Sequence, residues 1–293
     1  MGGEADIMTD PAAAPPAQPA DPVGGRTDDP PRAVPRVALV TGAARGVGAA
    51  AVAALAAGGW RVIATDLCAD DPALPYPLGS RADLDRVAGA AGGDVVAWVA
   101  DARDPRALAA AVSEAERRWG GLDAAIAVAG VIAGGVPAWQ FPADQEAALL
   151  DINLGGVLNL ARAAVPALLR RPVPRRGRFI AVASAAATRG LPMLAAYCAS
   201  KAGVAGFIRA LAAELGGTGV TVNAVSPGST ATAVLDESAR LYSLPAAESF
   251  ASQQPLGRLL RPEEVAAVIA FLAGDGASGM TGAIVPVDGG LAL

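Results

Sequence analysis

The stretch Val37-Ala-Leu-Val-Thr-Gly-Ala-Ala-Arg-Gly-Val-Gly48 decides the fold. It begins with a short, mostly apolar run of the kind that forms a buried strand. Three glycines follow, and an Ala-rich segment that favours a helix comes next. Where a glycine-rich turn joins a strand to a helix, the backbone approaches a pyrophosphate closely and the helix N-terminus stabilises its charge. We therefore expect a dinucleotide to contact Gly42, Arg45, Gly46, Val47 and Gly48; the alternative is a turn with a purely structural role.

Apolar strands alternate with helical segments along the rest of the chain. Helices are predicted at about Pro105–Trp119, Ala143–Arg170, Tyr197–Leu215 and Pro262–Ala273, and the residues before the last helix read as polar and irregular. Continuous apolar strands that are joined by helices form a parallel sheet covered on both faces. The sequence therefore predicts one doubly wound α/β domain over residues 36–293. Its sheet has about seven strands, which are Val37–Thr41, Arg61–Thr65, Val95–Ala100, Asp123–Val128, Arg178–Ala183, Val220–Val225 and Ala283–Val287.

Composition excludes several functional classes. The chain has no histidine, which removes Ser-His-Asp triads and His-ligated zinc, and we predict no metal site. A formal net charge of −5 disfavours nucleic-acid binding, because phosphate contacts need a basic patch. We find no run of about 18 large apolar residues that predicts a membrane span, and no secretory signal. Cys68 and Cys198 are too few for a disulfide framework, so a reducing cytoplasm is the expected location.

Residues 1–35 differ in composition from the rest of the chain. They contain eight prolines, six acidic residues and two arginines, with few large apolar residues and no periodicity. Such a segment cannot bury a core, so we predict a disordered acidic tail. The tail is either an interaction or solubility arm or upstream sequence without a role, and we assign no chemistry to it.

Two aspartates mark the ends of the second and third strands. Asp66 lies where a carboxylate accepts hydrogen bonds from the adenosine ribose hydroxyls and repels a 2′-phosphate. No basic residue directly follows Asp66 to bind that phosphate, so we expect NAD rather than NADP, although Arg45 favours the opposite choice. Asp101 is expected to contact the adenine amino group, and a helix-capping role is its alternative.

The residues that could carry out chemistry come later in the chain. Tyr197 and Lys201 are four residues apart on a predicted helix and share one face. Lys201 is the only lysine beside 22 arginines, which favours a site that requires a compact ammonium. This ammonium and a nicotinamide cation would lower the pKa of the Tyr197 phenol, so that it accepts an alcohol proton as hydride leaves. Ser184 follows the fifth strand, at the edge where open α/β sheets place ligands, and its hydroxyl would bind the substrate oxygen.

These motifs resemble the short-chain dehydrogenase/reductase family, which has a Rossmann-type fold, over about residues 36–293. The resemblance also covers Asn153 in the long helix and the segment Asn223–Gly228 after the sixth strand. It implies that Tyr197 is the acid/base, that Lys201 binds the nicotinamide ribose and tunes Tyr197, and that Ser184 positions the substrate. By the same resemblance, Asn153 anchors the water of a proton relay.

The resemblance also implies contacts to the cofactor beyond the glycine-rich turn. Thr232 matches the family's contact to the nicotinamide carboxamide. The other cofactor-binding residues implied by the family pattern are Leu67, Ala102, Ala129, Gly130, Tyr197, Lys201, Pro227, Gly228 and Thr230.

One departure from the family pattern lies at the end of the fourth strand. The Asn-Asn-Ala-Gly that is usual there reads Ala127-Val-Ala-Gly130. Gly130 still permits a close approach of the cofactor, but the side-chain amides that brace the sheet are missing. We therefore expect a loss of local stability more than a change in catalysis.

A second departure is the segment Leu67–Gly79, which delays the next helix to about Arg81. Its three prolines make it stiff and non-helical, and by position it can fold over the adenosine half of the cofactor. It is similar to an insertion in the mycofactocin-associated subgroup of the family. Members of that subgroup hold NAD without exchange, oxidise alcohols and pass electrons to a peptide-derived redox carrier. The alternative is a tolerated surface insertion.

The sequence gives less information about the substrate and the oligomeric state than about the fold and the cofactor. Candidate pocket walls are residues 131–141, with Trp139, and a substrate loop over residues 229–256. Because these walls are mostly apolar, we predict a hydrophobic alcohol rather than a sugar or a charged acid. The resemblance implies a homo-oligomer, a tetramer. An ordinary dehydrogenase or ketoreductase that exchanges free NAD(H) and a non-catalytic NAD-sensing protein remain alternatives. The apolar residues of the substrate loop are Leu235, Leu241, Tyr242, Leu244 and Phe250.

Overall fold

The structure, a computed structural model, describes residues 35–293 and contains one parallel sheet. The predicted acidic tail therefore lies outside the described residues, apart from Pro35. The seven strands are β1 (Val37–Thr41), β2 (Arg61–Asp66), β3 (Val95–Val99), β4 (Ala124–Ala127), β5 (Arg178–Val182), β6 (Thr221–Pro227) and β7 (Ile284–Val287). Their order across the sheet is β3-β2-β1-β4-β5-β6-β7, and every neighbouring pair is parallel. The predicted doubly wound α/β fold is confirmed.

Helices connect successive strands and cover both faces of the sheet. One face packs α3, α5 and α6 against the strands, and the other packs α1, α2 and α8, so that two apolar cores flank a central layer. The helices are α1 (Gly46–Ala57), α2 (Arg81–Ala91), α3 (Pro105–Trp119), α4 (Ala143–Leu150), α5 (Gly156–Arg170), α6 (Ala195–Glu214), α7 (Ala233–Leu241) and α8 (Pro262–Ala273).

Three details of the predicted elements are wrong. The long helix from Ala143 is not one regular helix, because a π-helical turn at Asp151–Gly155 separates α4 from α5. Residues before α8 are not all irregular, because helix α7 lies among them. Its buried Glu237 pairs with Arg240 one turn later. The segment that begins at Asn223 does not follow the sixth strand but forms most of β6.

The sheet order places a crevice at the centre of the molecule. The chain proceeds from β1 outward through β2 and β3, and then returns to β4 on the other side of β1. At such a reversal the loops after the two central strands diverge, and the space between them is where open α/β sheets bind ligands. The residues singled out from the sequence follow the carboxyl ends of β1, β2, β3, β4 and β5, so the fold gathers them at one edge.

One helical stretch, Ala143–Arg170, is long and apolar enough to cross a membrane by length and composition. The sequence prediction considered only large apolar residues. It did not include this stretch, because many of the apolar residues in it are alanines. Half of its most apolar window is buried inside the domain, where Leu160, Ala164 and Leu168 belong to the core on one face of the sheet. Its apolar character is therefore explained by packing against the strands.

Candidate active site

A cavity of about 790 Å³ opens at the carboxyl edge of the sheet. Its size falls within the range of small-molecule sites. All predicted cofactor-binding residues line it, and so do Ser184, Tyr197 and Lys201. The predicted cofactor residues in its wall are Gly42, Arg45, Gly46, Val47, Gly48, Asp66, Leu67, Asp101, Ala102, Ala129, Gly130, Pro227, Gly228, Thr230 and Thr232.

The glycine-rich turn after β1 is packed so closely that Gly42 and Gly48 have no room for a side chain. Gly42 has a φ of +67°, and a Cβ atom there would lie 2.6 Å from the Cα of Ala129 at the end of β4. A Cβ at Gly48 would lie 2.0 Å from the carbonyl oxygen of Gly42. This close packing holds the start of α1 against the strand ends, and its first residues Gly46, Val47 and Gly48 line the cavity.

Thr41 braces the end of β4, where the family's side-chain amides are missing. Its buried hydroxyl accepts hydrogen bonds from the backbone N–H groups of Val128 at 3.1 Å and Ala129 at 3.2 Å. The two strand ends that flank the crevice are thereby tied together by one side chain. The sequence pattern placed Thr41 in the turn but did not indicate this role.

Thr41→Val is expected to lower the free energy of unfolding by about 1–3 kcal/mol, because it leaves two partly buried N–H groups without this acceptor at nearly constant volume. Chemical denaturation of the variant and the wild type measures the difference. Thr188→Val is a matched control, since within residues 35–293 the Thr188 hydroxyl bonds only the Ala185 carbonyl, at the end of one 3₁₀ turn. Equal losses in the two variants would contradict the bracing role of Thr41.

Asp66 is held in the cavity wall by the backbone around it. One carboxylate oxygen accepts from the Ala44 N–H at 3.0 Å and the other from the Cys68 N–H at 3.3 Å. Each oxygen retains a lone pair for a ligand hydroxyl, while its negative charge opposes a phosphate at the same place. Arg45 also lines the cavity, and no carboxylate within residues 35–293 forms an ion pair with it. It is thus available to a ligand phosphate.

Asp101 has a partner that the sequence did not suggest. Its carboxylate forms hydrogen bonds with the guanidinium of Arg103, with Nε at 3.0 Å and Nη2 at 2.8 Å, and it accepts from the Arg103 backbone N–H at 2.8 Å. The alternative capping role is wrong, because Asp104 caps α3 by accepting from the Arg106 N–H. Asp101 still lines the cavity, so its predicted contact to adenine stays a prediction.

Ser184, Tyr197 and Lys201 meet on one wall of the cavity. Ser184 lies two residues beyond β5, while Tyr197 and Lys201 lie in the first two turns of α6. The Lys201 ammonium is 5.9 Å from the centroid of the Tyr197 ring and donates to the Val182 carbonyl at 2.9 Å. Lys201 is only 5% exposed, and no carboxylate among residues 35–293 pairs with it. Burial lowers the pKa of Lys201 to about 8.

Without its cofactor the protein does not lower the pKa of Tyr197, and the combined effect expected from Lys201 and a nicotinamide cation stays a prediction. Desolvation in the cleft raises the pKa of the Tyr197 phenol, and a hydrogen bond with Ser184 acts in the opposite direction but is weaker. The Lys201 ammonium bonds the Val182 carbonyl instead of the phenol, which explains why it does not lower the pKa. The phenolate therefore needs a further positive charge near it.

Asn153 lies behind the cavity wall and not in it. It occupies the π-helical turn, is fully buried and forms two hydrogen bonds with the backbone of Val131, at 2.8 Å and 3.0 Å. Its amide also donates to the Ser200 hydroxyl at 3.2 Å. Asn153 therefore connects the loop after β4 to α6, and its part in a proton relay stays a prediction.

The segment Leu67–Gly79 forms part of the cavity wall and also contacts the loop after β4. Leu67, Leu78 and Gly79 line the cavity near Asp66. Tyr76 lies beyond the adenosine side of the cavity. Its hydroxyl accepts from the Ile132 N–H at 2.9 Å, and its ring packs against an apolar cluster that Tyr197 also contacts. Burial raises the pKa of Tyr76 to about 12, so it stays a neutral phenol.

The substrate end of the cavity differs in part from its prediction. Trp139 is 84% exposed, and neither it nor Phe141 or Leu241 lines the cavity, because the chain after Ile132 turns away from it. Tyr242 does line it and donates to the Pro192 carbonyl at 2.7 Å. Walls that the sequence did not indicate come from the segment before α6 and from the C-terminus. The apolar residues at this end are Leu191, Pro192, Leu194, Val234, Leu235, Leu244, Phe250 and Leu291.

Comparisons with known proteins agree with this geometry. A family described as enoyl-(acyl carrier protein) reductase matches residues 42–292. The chain is 36% identical over 257 residues to 2-dehydro-3-deoxy-L-rhamnonate dehydrogenase (NAD(+)) from Sphingomonas sp. (strain SKA58), covering 87% of this chain and 94% of that protein. It is 37% identical over 260 residues to D-threitol dehydrogenase from Mycolicibacterium smegmatis, covering 88% and 93%.

A solved structure extends the likeness to three dimensions. Carveol dehydrogenase from Mycobacterium avium in complex with NAD superposes with a TM-score of 0.83 and 32% sequence identity, covering 89% of this chain and 98% of that one. The glycine-rich turn after β1 and the Ser184, Tyr197 and Lys201 side chains around one crevice are the features that gave the resemblance from sequence. The chain belongs to the short-chain dehydrogenase/reductase family.

Proposed function

We propose that the protein is an NAD-dependent dehydrogenase that oxidises a hydrophobic primary or secondary alcohol. The observation that carries this proposal is the convergence of Ser184, Tyr197 and Lys201 on the wall of a cavity that also contains Asp66. A protein that only sensed NAD would have no use for an acid/base phenol beside the cofactor groove.

The residues of the chain fit NAD on three counts. The glycines after β1 leave no room for side chains where a pyrophosphate would approach, and Arg45 offers it a guanidinium. The Asp66 carboxylate has lone pairs for the two hydroxyls of an adenosine ribose. The buried Lys201 ammonium has donors beyond its bond to Val182 for the hydroxyls of the second ribose. When bound, NAD supplies the hydride acceptor and, through its oxidised ring, a positive charge.

The residues of this chain contribute to catalysis by transferring one proton from the alcohol. Ser184 donates a hydrogen bond to the alcohol oxygen, and Tyr197 accepts the hydroxyl proton as the carbon loses hydride. Because desolvation raises the Tyr197 pKa, a positive charge on the ligand side is needed to form the phenolate near neutral pH. Lys201 completes the arrangement by holding the ribose, while Asn153 fixes the loop backbone at Val131.

The substrate class follows from the walls of the cavity. Leucines, Phe250 and Tyr242 surround the end beyond Tyr197, and such walls favour an apolar alcohol. Relatives are named for carveol and for D-threitol, which differ in polarity. The proposal of a hydrophobic substrate therefore rests on the cavity walls of this chain. Cyclic secondary alcohols are therefore expected to give a higher kcat/KM than straight-chain polyols.

The segment Leu67–Gly79 supports a second part of the proposal, that NAD stays bound between turnovers. The segment lines the cavity beside Asp66, and Tyr76 packs against the same apolar cluster as Tyr197, so we expect the segment to cover the adenosine half of the cofactor. A cofactor held in this way must pass its electrons on while bound. We propose a mycofactocin-type redox carrier as the acceptor.

Location and assembly complete the proposal. We propose a location in the reducing cytoplasm, which the free thiols of Cys68 and Cys198 support. A homotetramer is proposed from the family resemblance, and light scattering of the purified protein measures its mass directly.

The activity is tested by supplying alcohols together with an artificial electron acceptor. Reduction of the acceptor by a cyclic secondary alcohol, without added NADP, is the expected result. Oxidation of polyols in preference to hydrophobic alcohols would contradict the substrate class. A requirement for NADP would contradict the role of Asp66.

A further inference from the structure

A buried carboxylate anchors the segment Leu67–Gly79 to the body of the domain. The Asp71 side chain is only 4% exposed, although the segment that carries it lies on the surface. Its Oδ2 accepts from Nη1 of Arg103 at 2.6 Å, a residue 32 positions later in the chain. A buried charge needs such a partner, because removal from water disfavours it strongly.

Arg103 joins Asp71 to a wall of the nucleotide groove. While Nη1 binds Asp71, the Nε and Nη2 groups bind the carboxylate of Asp101, which lines the cavity. One planar guanidinium thus connects two carboxylates, one on the surface segment and one at the end of β3. Lysine could not form this fork, since its ammonium is a single point of charge.

The segment is braced internally, so that it is expected to move as one unit. Asp71 accepts from the Ala73 N–H at 2.9 Å, and Asp70 accepts from the Leu78 N–H at 2.8 Å. Side-chain hydrogen bonds join the segment to the rest of the domain at Cys68, whose N–H donates to Asp66, at Asp71, which accepts from Arg103, and at Tyr76, which accepts from the Ile132 N–H. Lifting the segment away from the groove therefore requires the bond between Asp71 and Arg103 to break.

We propose that Arg103 is a positioning residue that latches Leu67–Gly79 closed and thereby sets the rate at which NAD leaves the protein. This inference rests on the proposed function, in which the segment covers NAD. The Asp71–Arg103–Asp101 bridge holds the segment without contacting the reacting atoms. It therefore controls the residence of the cofactor and not the proton transfer at Tyr197.

The test measures how fast bound NADH is released. The protein is loaded with NADH and mixed with lactate dehydrogenase and pyruvate, which oxidise NADH only after it has left the site, and absorbance at 340 nm is followed. Arg103→Ala is expected to release NADH about 10–100-fold faster than the wild type, because a charge-assisted bond to a buried carboxylate is lost. Asp71→Asn, which keeps the acceptor for Ala73, is expected to be at least about 10-fold faster.

Two further variants separate the latch from a general loss of structure. Arg103→Lys is expected to restore only part of the slow release, because it pairs with one carboxylate at a time. Arg117→Ala is the matched control, since Arg117 forms an exposed ion pair with Glu114 on the same helix, α3, and is expected to release NADH at the wild-type rate. The double variant of Asp71 and Arg103 should be no faster than Arg103→Ala alone, as for two residues that act through one bond.

Release from Arg103→Ala within twofold of the wild-type rate, in a variant with an unchanged melting temperature, would overturn the proposal. If Arg103→Ala does not fold, Asp71→Asn decides the question by the same criterion. Rapid release from the wild type itself would remove the proposal of resident NAD. The ratio of variant to wild-type rates would still test Arg103, so the two failures are distinguishable.

Discussion

Tyr197→Phe is expected to lower kcat for alcohol oxidation by about 10²–10⁴-fold, the usual contribution of a general base. The substitution removes only the phenolic oxygen and leaves the ring in its apolar cluster. The amount of NAD that purifies with the protein is therefore expected to stay the same. Single-turnover reduction of bound NAD, followed at 340 nm, separates the chemical step from binding.

Two outcomes would count against Tyr197 as the base. One is a Phe variant that retains more than about a tenth of the wild-type rate, since a general base contributes more than this. The other is a loss of rate accompanied by an equal loss of NAD, which would indicate a structural role. Ser184→Ala is a useful companion, because it removes the substrate-oxygen donor and is expected to slow turnover while the phenol remains.

Lys201→Arg is expected to lower kcat/KM by about 10²-fold or more, although the charge is kept. The Lys201 ammonium is buried, bonds the Val182 carbonyl and lies beside Gly130, where a Cβ atom would come within 3.4 Å of Nζ. A guanidinium is larger and planar, so it does not fit this space without displacing the loop after β4. Steady-state kinetics and the NAD content of the variant provide the measurement.

The pH profile gives Lys201→Arg a second test. Burial lowers the pKa of Lys201 to about 8, so the wild-type ammonium loses its proton within the range of an activity assay. An arginine keeps its charge over that range. Residual activity of the variant is therefore expected to lack the ionisation near pH 8 that belongs to Lys201. A variant with wild-type kcat/KM and an unchanged profile would contradict the requirement for a compact ammonium.

Local patterns predicted the parts of the fold that depend on neighbouring residues. The glycine-rich turn, the apolar strands and the Tyr197–Lys201 spacing each follow from a few adjacent positions, and the structure places them around one cavity. Helix α7 escaped prediction because Glu237 is buried by pairing with Arg240, and such a residue reads as polar and exposed in the sequence. Trp139 was expected in the pocket for its aromatic ring, but it lies in solvent.

Contacts between distant segments could not be predicted. Nothing near Arg103 in the sequence indicates that its guanidinium binds Asp71, and nothing near Tyr76 indicates that its hydroxyl binds the Ile132 backbone. The same holds for Thr41, whose role depends on how closely β1 and β4 approach. The desolvation that raises the pKa of Tyr197 in the protein without cofactor could not be predicted either, because it depends on packing that spacing along a helix does not reveal.

The central claim is that NAD resides in the protein beneath Leu67–Gly79, and its most direct test is the cofactor content of the dialysed protein. After extensive dialysis the protein is denatured, and NAD and NADH in the supernatant are assayed against the protein concentration. We predict about one cofactor per chain, with alcohol oxidation that needs an artificial electron acceptor and no added NAD. An empty supernatant, together with turnover at 340 nm on added NAD, would contradict the claim and indicate an ordinary dehydrogenase with an exchangeable cofactor.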